Sequence, residues 1–474
     1  MIKTKIIATL GPSSNEAGTI KALIDNGVDV FRLNFSHGTL DEHAELLEVL
    51  NSVRSERHNM AAVIGDLSGP KIRTGLIKPE GQMLSAGAEV SIVAGEEAGT
   101  AERFGTNYER FTDDVNIGDR VFIDDGQIAL EVIGRRDNET VCKVVVGGAL
   151  RSRKGINLPD SKISTPSITE RDWKCVDWAI EKELDFLALS FVRSADEIKE
   201  LRNYLSKAGA DIKIIAKIET LQALEHLEKI VRASDVVLVA RGDLGVEMDL
   251  ALVPLIQKRI TQMCRDLGRP VVVATQMLQS MIENPTATRA EVSDVANAIM
   301  DFADAVMLSG ETAVGKYPLE AVQTIERIAR VTESYLEENV NVHPQSATVD
   351  ELVQTASMAQ SVGQIVDGIG AKLVAVWSQG GSSARLLSKV RIDAPILALS
   401  SDERMCRQMC LYYGVIPRCR SVPENIEQFT RIVEEMIIND NLVRIGDKIV
   451  LLAGQPLGAA GTTNAIIVHN VTGG

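Results

Sequence analysis

Eight short apolar runs, rich in Val, Ile and Ala, recur along this chain, and each is followed by a stretch that begins like a helix. They are Ile6–Thr9, Val28–Phe35, Ala61–Leu67, Phe186–Val192, Lys213–Glu219, Val236–Arg241, Val271–Gln276 and Ala305–Ser309. Each is too short for a helix and lacks polar alternation, the pattern of parallel strands covered on both faces. Between them, Ser13/Glu16, Thr39/Glu42, Ser194/Glu197 and Thr288/Glu291 have capping-box spacing. Pro254 and Pro318 fall where a first helical residue stands, and Gly27 and Gly268 where a helix stops. Eight strand–helix repeats are the arithmetic of an α/β (β/α)8 barrel. A doubly wound open sheet usually carries fewer strands and a nucleotide fingerprint, which this chain lacks.

Two stretches break the repeat. Residues 69–166 are rich in Val, Gly and Asp, and Val121 to Leu130 alternates around an Asp125-Gly126 turn signal. They read as an all-β cap inserted after the third strand, returning through Gly155 to Pro159, and able to act as a lid. The polar stretch Asn339 to Asp350, with Pro344, reads as a linker. Beyond it, Lys372–Ser378, Pro395–Ser400, Lys448–Gly454 and Ala465–Asn470 predict a mostly parallel sheet with helices. The expected domains are thus a TIM barrel over 1–68 and 167–345, the cap over 69–166, and a C-terminal α/β domain over 346–474.

Composition narrows the partners. At 474 residues there is room for two or three domains. A formal charge of −15 argues against nucleic acid or anionic membrane as a bulk partner, while leaving room for a local cationic pocket. The N-terminus reads as a strand and not as a signal peptide, and no apolar run approaches membrane-spanning length. A soluble, cytoplasmic protein is expected. Cys142, Cys175, Cys264, Cys406, Cys410 and Cys419 form no Cys-x-x-Cys pair and read as reduced thiols. Cys406 and Cys410, one helical turn apart, fit a buried face better than a zinc site.

In such a barrel the chemistry gathers at the strand C-terminal ends. Those positions hold Arg32, Asn34, Ser36 and His37, then Asp66, Lys217 and Glu219, Asp243, Thr275, and Ser309 with Glu311. Any one of them alone reads as a loop ion pair or a helix cap. Six strand ends converging on one face do not. Lys217 and Glu219, two apart on a strand, point the same way. Glu219 and Asp243 are hard oxygen ligands without a neighbouring His or Cys, favouring Mg2+ or Mn2+ over zinc. Lys217, Arg32 and Arg73 offer positive charge to a phosphoryl group in transfer. Lys217 suits an enolate oxygen equally well.

The chain resembles the pyruvate kinase family from end to end. The resemblance is carried by TKIIATLGPSS (Thr4–Ser14), FRLNFSHG (Phe31–Gly38), IAKIE (Ile215–Glu219), ARGDLGVE (Ala240–Glu247), ATQML (Ala274–Leu278), Pro285–Asn297 and MLSGETA (Met307–Ala313). It implies a mobile cap, a homotetramer, and transfer of phosphate from phosphoenolpyruvate to ADP giving pyruvate and ATP. It implies Glu219 and Asp243 as metal ligands, and Lys217 as the lysine at the transferring phosphoryl group and the enolate. Arg32 and Arg73 match phosphate-contacting arginines; the backbone at Arg241, Gly242 and Asp243 and the hydroxyl of Thr275 match the wall that binds the substrate carboxylate. Asn34, His37 and Arg73 border the nucleotide, and Asn34, Ser36 and Asp66 match a monovalent-cation site.

Two local features depart from that pattern or extend it. Lys71 stands where many K+-dependent members carry glutamate, and Leu67 where they tend to carry a hydroxyl residue. A tethered ammonium beside the cation site predicts that K+ is not required. In the last domain, Ser378, Gly380, Ser382, Ser383 and Arg385 form a strand-to-helix turn able to present N–H groups to phosphate, and the family resemblance implies a site for an allosteric effector there. An ordinary glycine turn fits the same spacing.

Overall fold

The apolar runs pair side by side and in parallel in the computed structural model, which describes residues 1–57, 60–78, 81–95, 98–339, 352–459 and 461–473. They close into a barrel of β1 (Lys5–Thr9), β2 (Val28–Asn34), β3 (Ala62–Asp66), β4 (Phe186–Leu189), β5 (Lys213–Ile218), β6 (Val236–Ala240), β7 (Val271–Ala274) and β8 (Ala305–Leu308). Neighbours follow chain order, and β1 pairs with both β2 and β8. Most strands end one or more residues earlier than the apolar runs suggest. The run Phe186–Val192 leaves the sheet after Leu189, because Phe191 adopts a positive φ of 53°.

Strand parity sorts the side chains. Val30, Ile64, Ala188, Ile215, Val272 and Met307 fill the barrel interior, while the opposite parity faces the helices. Continuing the interior parity towards the C-terminal ends gives Arg32, Asn34, Asp66, Ser190, Lys217, Glu219 and Ser309. The polar set at the barrel mouth is therefore an extension of the same alternation that builds the core.

Helix starts are chemically specified. Thr39/Glu42 and Thr288/Glu291 form reciprocal capping boxes, Glu197 reaches back to the Ser194 N–H, and Thr169/Asp172 adds a box the spacing rule for Glu had passed over. Ser13/Glu16 does not: Glu16 is itself the N-cap residue of helix Ala17–Asp25, with no side-chain cap bond. The Ser13 N–H donates to the Ala313 carbonyl instead.

The chain leaves the barrel after β3 and builds a six-stranded sheet in the order 156–157, 120–123, 128–136, 139–146, 89–94, 103–106. The hairpin joining 120–123 to 128–136 turns through Asp124 and Asp125, both at φ 54°, and Gly126 at φ 84°. Three successive left-handed residues explain the Asp-Asp-Gly choice. After helix Pro318–Asn339 the linker expected over Asn339 to Asp350 falls, beyond Asn339, outside the described residues. A second α/β unit follows, with β9 (Leu373–Trp377), β10 (Ile396–Ser400), β11 (Val415–Cys419), β12 (Lys448–Gly454) and β13 (Thr463–Asn470) in the order β11-β10-β9-β12-β13. All pairings are parallel except β12–β13. Among the described residues no helix is long and apolar enough to cross a membrane.

The N-terminal end of the barrel is sealed by a repeated device. Asp29, Asp185, Asp235 and Asp304, at the starts of β2, β4, β6 and β8, accept the N–H of Ile6, Val63, Ile214 and Val271 on the preceding strands. Each also meets a cation: Lys5, Arg407, Arg202 and Lys389 in turn. Arg407 and Lys389 come from the C-terminal unit, which also inserts Cys410 and Leu411 into the interior cluster. Asp304 is fully buried, 2.5 Å from Lys389 and 3.2 Å from Arg391. Truncating one partner of a buried ion pair costs about 3–5 kcal/mol, because the other charge stays behind. Asp304→Ala is accordingly expected to lower the thermal unfolding midpoint markedly; an unchanged midpoint contradicts this account of the domain junction.

Candidate active site

Lys217 is the electrostatic centre of the barrel mouth. Its Nζ lies 2.9 Å from Glu219 Oε1 and 3.3 Å from Asp66 Oδ1, and donates to Ser190 Oγ at 2.7 Å. Asp66 is shared with Arg32, whose Nε is 2.6 Å from Oδ2, and Arg32 also donates to Thr9 Oγ1 at 3.1 Å. All of these groups are buried or nearly so. Burial opposes the ammonium of Lys217, yet Asp66 and Glu219 outweigh it and hold its pKa above the ordinary lysine value. Burial likewise opposes the Asp66 carboxylate, but Lys217 and Arg32 win and hold it below its ordinary range. Glu219 behaves differently: burial raises its pKa, Lys217 works against that, and Asp243 adds to it.

Asp243 does not end a strand. It sits in the first turn of helix Arg241–Glu247, which starts directly after β6. Glu219 and Asp243 are thus two carboxylates close enough for Asp243 to disfavour the Glu219 charge, and both offer only oxygen donors. That donor set fits a hard divalent cation.

The turn after β4 was invisible as a site in the sequence, where Ser190 and Phe191 look like strand. Ser190 Oγ accepts from Lys217 and donates to the Leu67 carbonyl at 2.7 Å, while the Phe191 N–H donates to Glu219 Oε2 at 2.7 Å. Two adjacent residues therefore aim both the lysine and the carboxylate. Period-two extrapolation along β4 is the signal that finds Ser190. Phe191 carried no signal, since its role is a backbone N–H exposed by a positive φ.

Arg32, Asn34, Ser36, His37, Asp66, Lys71, Arg73, Lys217, Glu219, Asp243, Thr275 and Ser309 line one cleft of about 160 Å³, together with Ser68, Ser190 and Phe191. Lys71 and Arg73 reach it from the strap leading into the cap, and Arg73 donates to the Arg153 carbonyl at 3.0 Å. Ser36 and Ser68 are joined through their hydroxyls at 3.2 Å. A second recess of about 630 Å³ adjoins the first and shares Asn34 and His37 with it; Pro12, Leu46 and Val49 give it apolar walls.

Thr275 holds a φ of 68°, rare for a β-branched residue. Its Oγ1 accepts the Gly242 N–H at 2.8 Å and donates to the Ala274 carbonyl at 2.7 Å. Arg241 is turned from the cleft, bonding Asp294 and the Thr275 carbonyl. Glu311 also leaves it, accepting the N–H groups of Leu278 and Ser309. Leu67 packs into the core between barrel and helices.

At the turn expected to receive an effector, Gly381 caps helix Ser382–Val390 at φ 75°. Ser378 Oγ accepts the Ala384 N–H at 3.1 Å, and Ser383 is paired with the Thr463 hydroxyl at 2.7 Å. Gly380 and Ser382 belong to the same turn. Arg385 corrects the sequence expectation. It is buried, and its guanidinium donates to the Gly268 carbonyl of the barrel. Docking between domains claims the one charge that a phosphate was expected to meet.

Comparison with known proteins agrees with this geometry. A family model described as "Pyruvate kinase, barrel domain" matches residues 1–322, and one described as "Pyruvate kinase, alpha/beta domain" matches 356–469. A pyruvate kinase of Mycobacterium tuberculosis is 39% identical over 473 residues, covering 98% of this chain and 98% of that one. One of Thermotoga maritima is 39% identical over 475 residues, covering 99% and 100%. A crystal structure of a pyruvate kinase from Cryptosporidium parvum superposes with a TM-score of 0.92 at 33% identity, covering 99% of this chain and 96% of that one.

Proposed function

The chain belongs to the pyruvate kinase family, and from that membership we propose how its own residues divide the work of moving phosphate from phosphoenolpyruvate to ADP. The observation that carries the assignment is the single cleft in which Lys217, Arg32, Glu219 and Asp243 meet. Phosphoryl transfer passes through a loose state with charge spread over the equatorial oxygens, so positioned cations do most of the work. Lys217 and Arg32, already oriented by Asp66 and Ser190, supply such charge without reorganising. Arg73 adds a third cation from the cap side.

Glu219 and Asp243 are the residues to hold Mg2+ or Mn2+. Held there, such a cation would supply positive charge to substrate oxygens and would offset the repulsion that Asp243 exerts on Glu219. Once phosphate has left, Lys217 remains beside the enolate oxygen. The Gly242 N–H, which donates to Thr275 Oγ1 in the free protein, would donate to the substrate carboxylate instead when Thr275 yields. The nucleoside diphosphate fits the larger recess, with Asn34 and His37 at the boundary. ATP formation that persists unchanged after removal of divalent cations overturns the metal assignment.

K+ is proposed to be dispensable. Asn34, Ser36, Asp66 and Leu67 frame the monovalent-cation region, but Asp66 is satisfied by Arg32 and Lys217, and the Lys71 side chain lines the same cleft. An ammonium there supplies the charge that a bound K+ otherwise provides. Rates in K+-free and K+-rich buffer at equal ionic strength are expected to agree within about twofold, whereas a large activation by K+ rejects the role given to Lys71. Placement at the last step of glycolysis in the cytoplasm, a homotetramer, and regulation by a phosphorylated effector at the turn from Ser378 to Ser383 complete the proposal on family grounds. A panel of sugar phosphates and nucleotides in substrate-saturation assays tests the last of these.

A further inference from the structure

Glu247 is a buried carboxylate that the chemistry above does not use. It closes the short helix Arg241–Glu247, one turn beyond Asp243, so both side chains lie on the same helix face. Its Oε1 accepts from Asn157 Nδ2 at 3.2 Å, and it also takes a hydrogen bond from the Leu221 N–H. Asn157 belongs to the strand Ile156–Asn157, through which the cap returns to the barrel and which pairs with Phe122 in the cap sheet. Leu221 stands two residues after Glu219. The cap hairpin comes close to the same helix, since a Cβ built at Gly126 lies 4.0 Å from Val246. Glu247, Asn157, Lys71 and Asp243 line one narrow cleft between cap and barrel.

We propose that Glu247 is a positioning residue that ties the returning strand of the cap to the helix carrying Asp243, so that the seating of the cap sets the spacing of Asp243 and Glu219. This rests on the assignment of those two carboxylates as the metal ligands. The contact is built from hydrogen bonds and not from an ion pair: Asn157 is neutral, and so is the Leu221 amide. Burial, with Asp243 adding to it and the Asn157 bond opposing, pushes the Glu247 carboxyl up to about 7, so its neutral form is readily tolerated. A glutamine at this position keeps the accepting oxygen; an alanine removes it.

The test is Mn2+ binding to the metal-stripped enzyme, followed by electron paramagnetic resonance, alongside the Mg2+ concentration for half-maximal activity. Removing a group bonded directly to a metal ligand typically weakens binding about 10- to 100-fold; Glu247 bonds neither ligand, so the low end, about tenfold, is expected. Glu247→Ala is expected to show that loss in both readouts, Asn157→Ala a loss in the same direction, and Glu247→Gln values close to the parent. Parent-like Mn2+ binding by Glu247→Ala overturns the proposal, as does a Glu247→Gln enzyme as impaired as the alanine variant. If Glu247→Ala does not fold, Asn157→Ala decides alone, and its binding Mn2+ as the parent does overturns the proposal. Asp243→Asn separates the two layers. Parent-like Mn2+ affinity there removes the metal assignment itself, whereas lost affinity there with normal binding in the Glu247 and Asn157 variants removes only the tie to the cap.

Discussion

Lys217→Ala is expected to cost about a thousandfold or more in kcat while the protein still folds and still binds a divalent cation. The ammonium sits within 3.3 Å of two carboxylates and a hydroxyl, so its position is fixed before substrate arrives. A preorganised charge of this kind acts on the transition state and not on substrate affinity, so kcat should fall far more than KM rises. The fold should survive, since Asp66 keeps Arg32 and Glu219 keeps the Phe191 N–H. Loss of the neighbouring ammonium also leaves Glu219 more available to a dication. Steady-state kinetics beside a metal-binding titration check this, and near-normal turnover sinks the role assigned to Lys217.

Glu219→Gln is expected to weaken Mn2+ or Mg2+ binding by about a hundredfold and to leave the fold intact. The amide oxygen of glutamine can still accept the Phe191 N–H, so the turn after β4 is preserved. Stability has little to lose. Burial and Asp243 raise the Glu219 pKa above its unfolded value, so without metal its ionised form opposes folding once the pH exceeds the ordinary carboxylate range. Calorimetric titration with Mn2+ and a thermal melt answer both parts. Wild-type metal affinity would mean that the cation is held elsewhere.

Much of this site was legible because one alternation builds both the core and the mouth. Reading β5 as Ile215, Lys217, Glu219 on one face required only period two and the eight-strand count. What was missed depends on backbone geometry and on distant contacts. Phe191 acts through an N–H that a positive φ turns toward Glu219. The sequence places Asp243 correctly after the sixth strand, but not on the helix that begins there without a loop. Arg385 looked like an anion ligand because its neighbours are Gly and Ser, but domain docking directs it to Gly268. Strand β11, Val415–Cys419, escaped because Pro417 and Arg418 interrupt its apolar pattern, although it is an edge strand where proline is tolerated. The Ser13/Glu16 spacing was a coincidence of composition: the helix starts after Glu16, and Ser13 is bonded across to Ala313.

The central claim is that the cleft around Lys217, Glu219 and Asp243 moves phosphate from phosphoenolpyruvate to ADP. The most direct measurement incubates the purified protein with phosphoenolpyruvate, ADP and Mg2+ in K+-free buffer and follows ATP and pyruvate together by phosphorus and proton NMR. The account predicts equimolar ATP and pyruvate, formed rapidly by the parent enzyme and at trace rates by Lys217→Ala. Phosphoenolpyruvate left unconsumed, or pyruvate appearing with free phosphate in place of ATP, contradicts it.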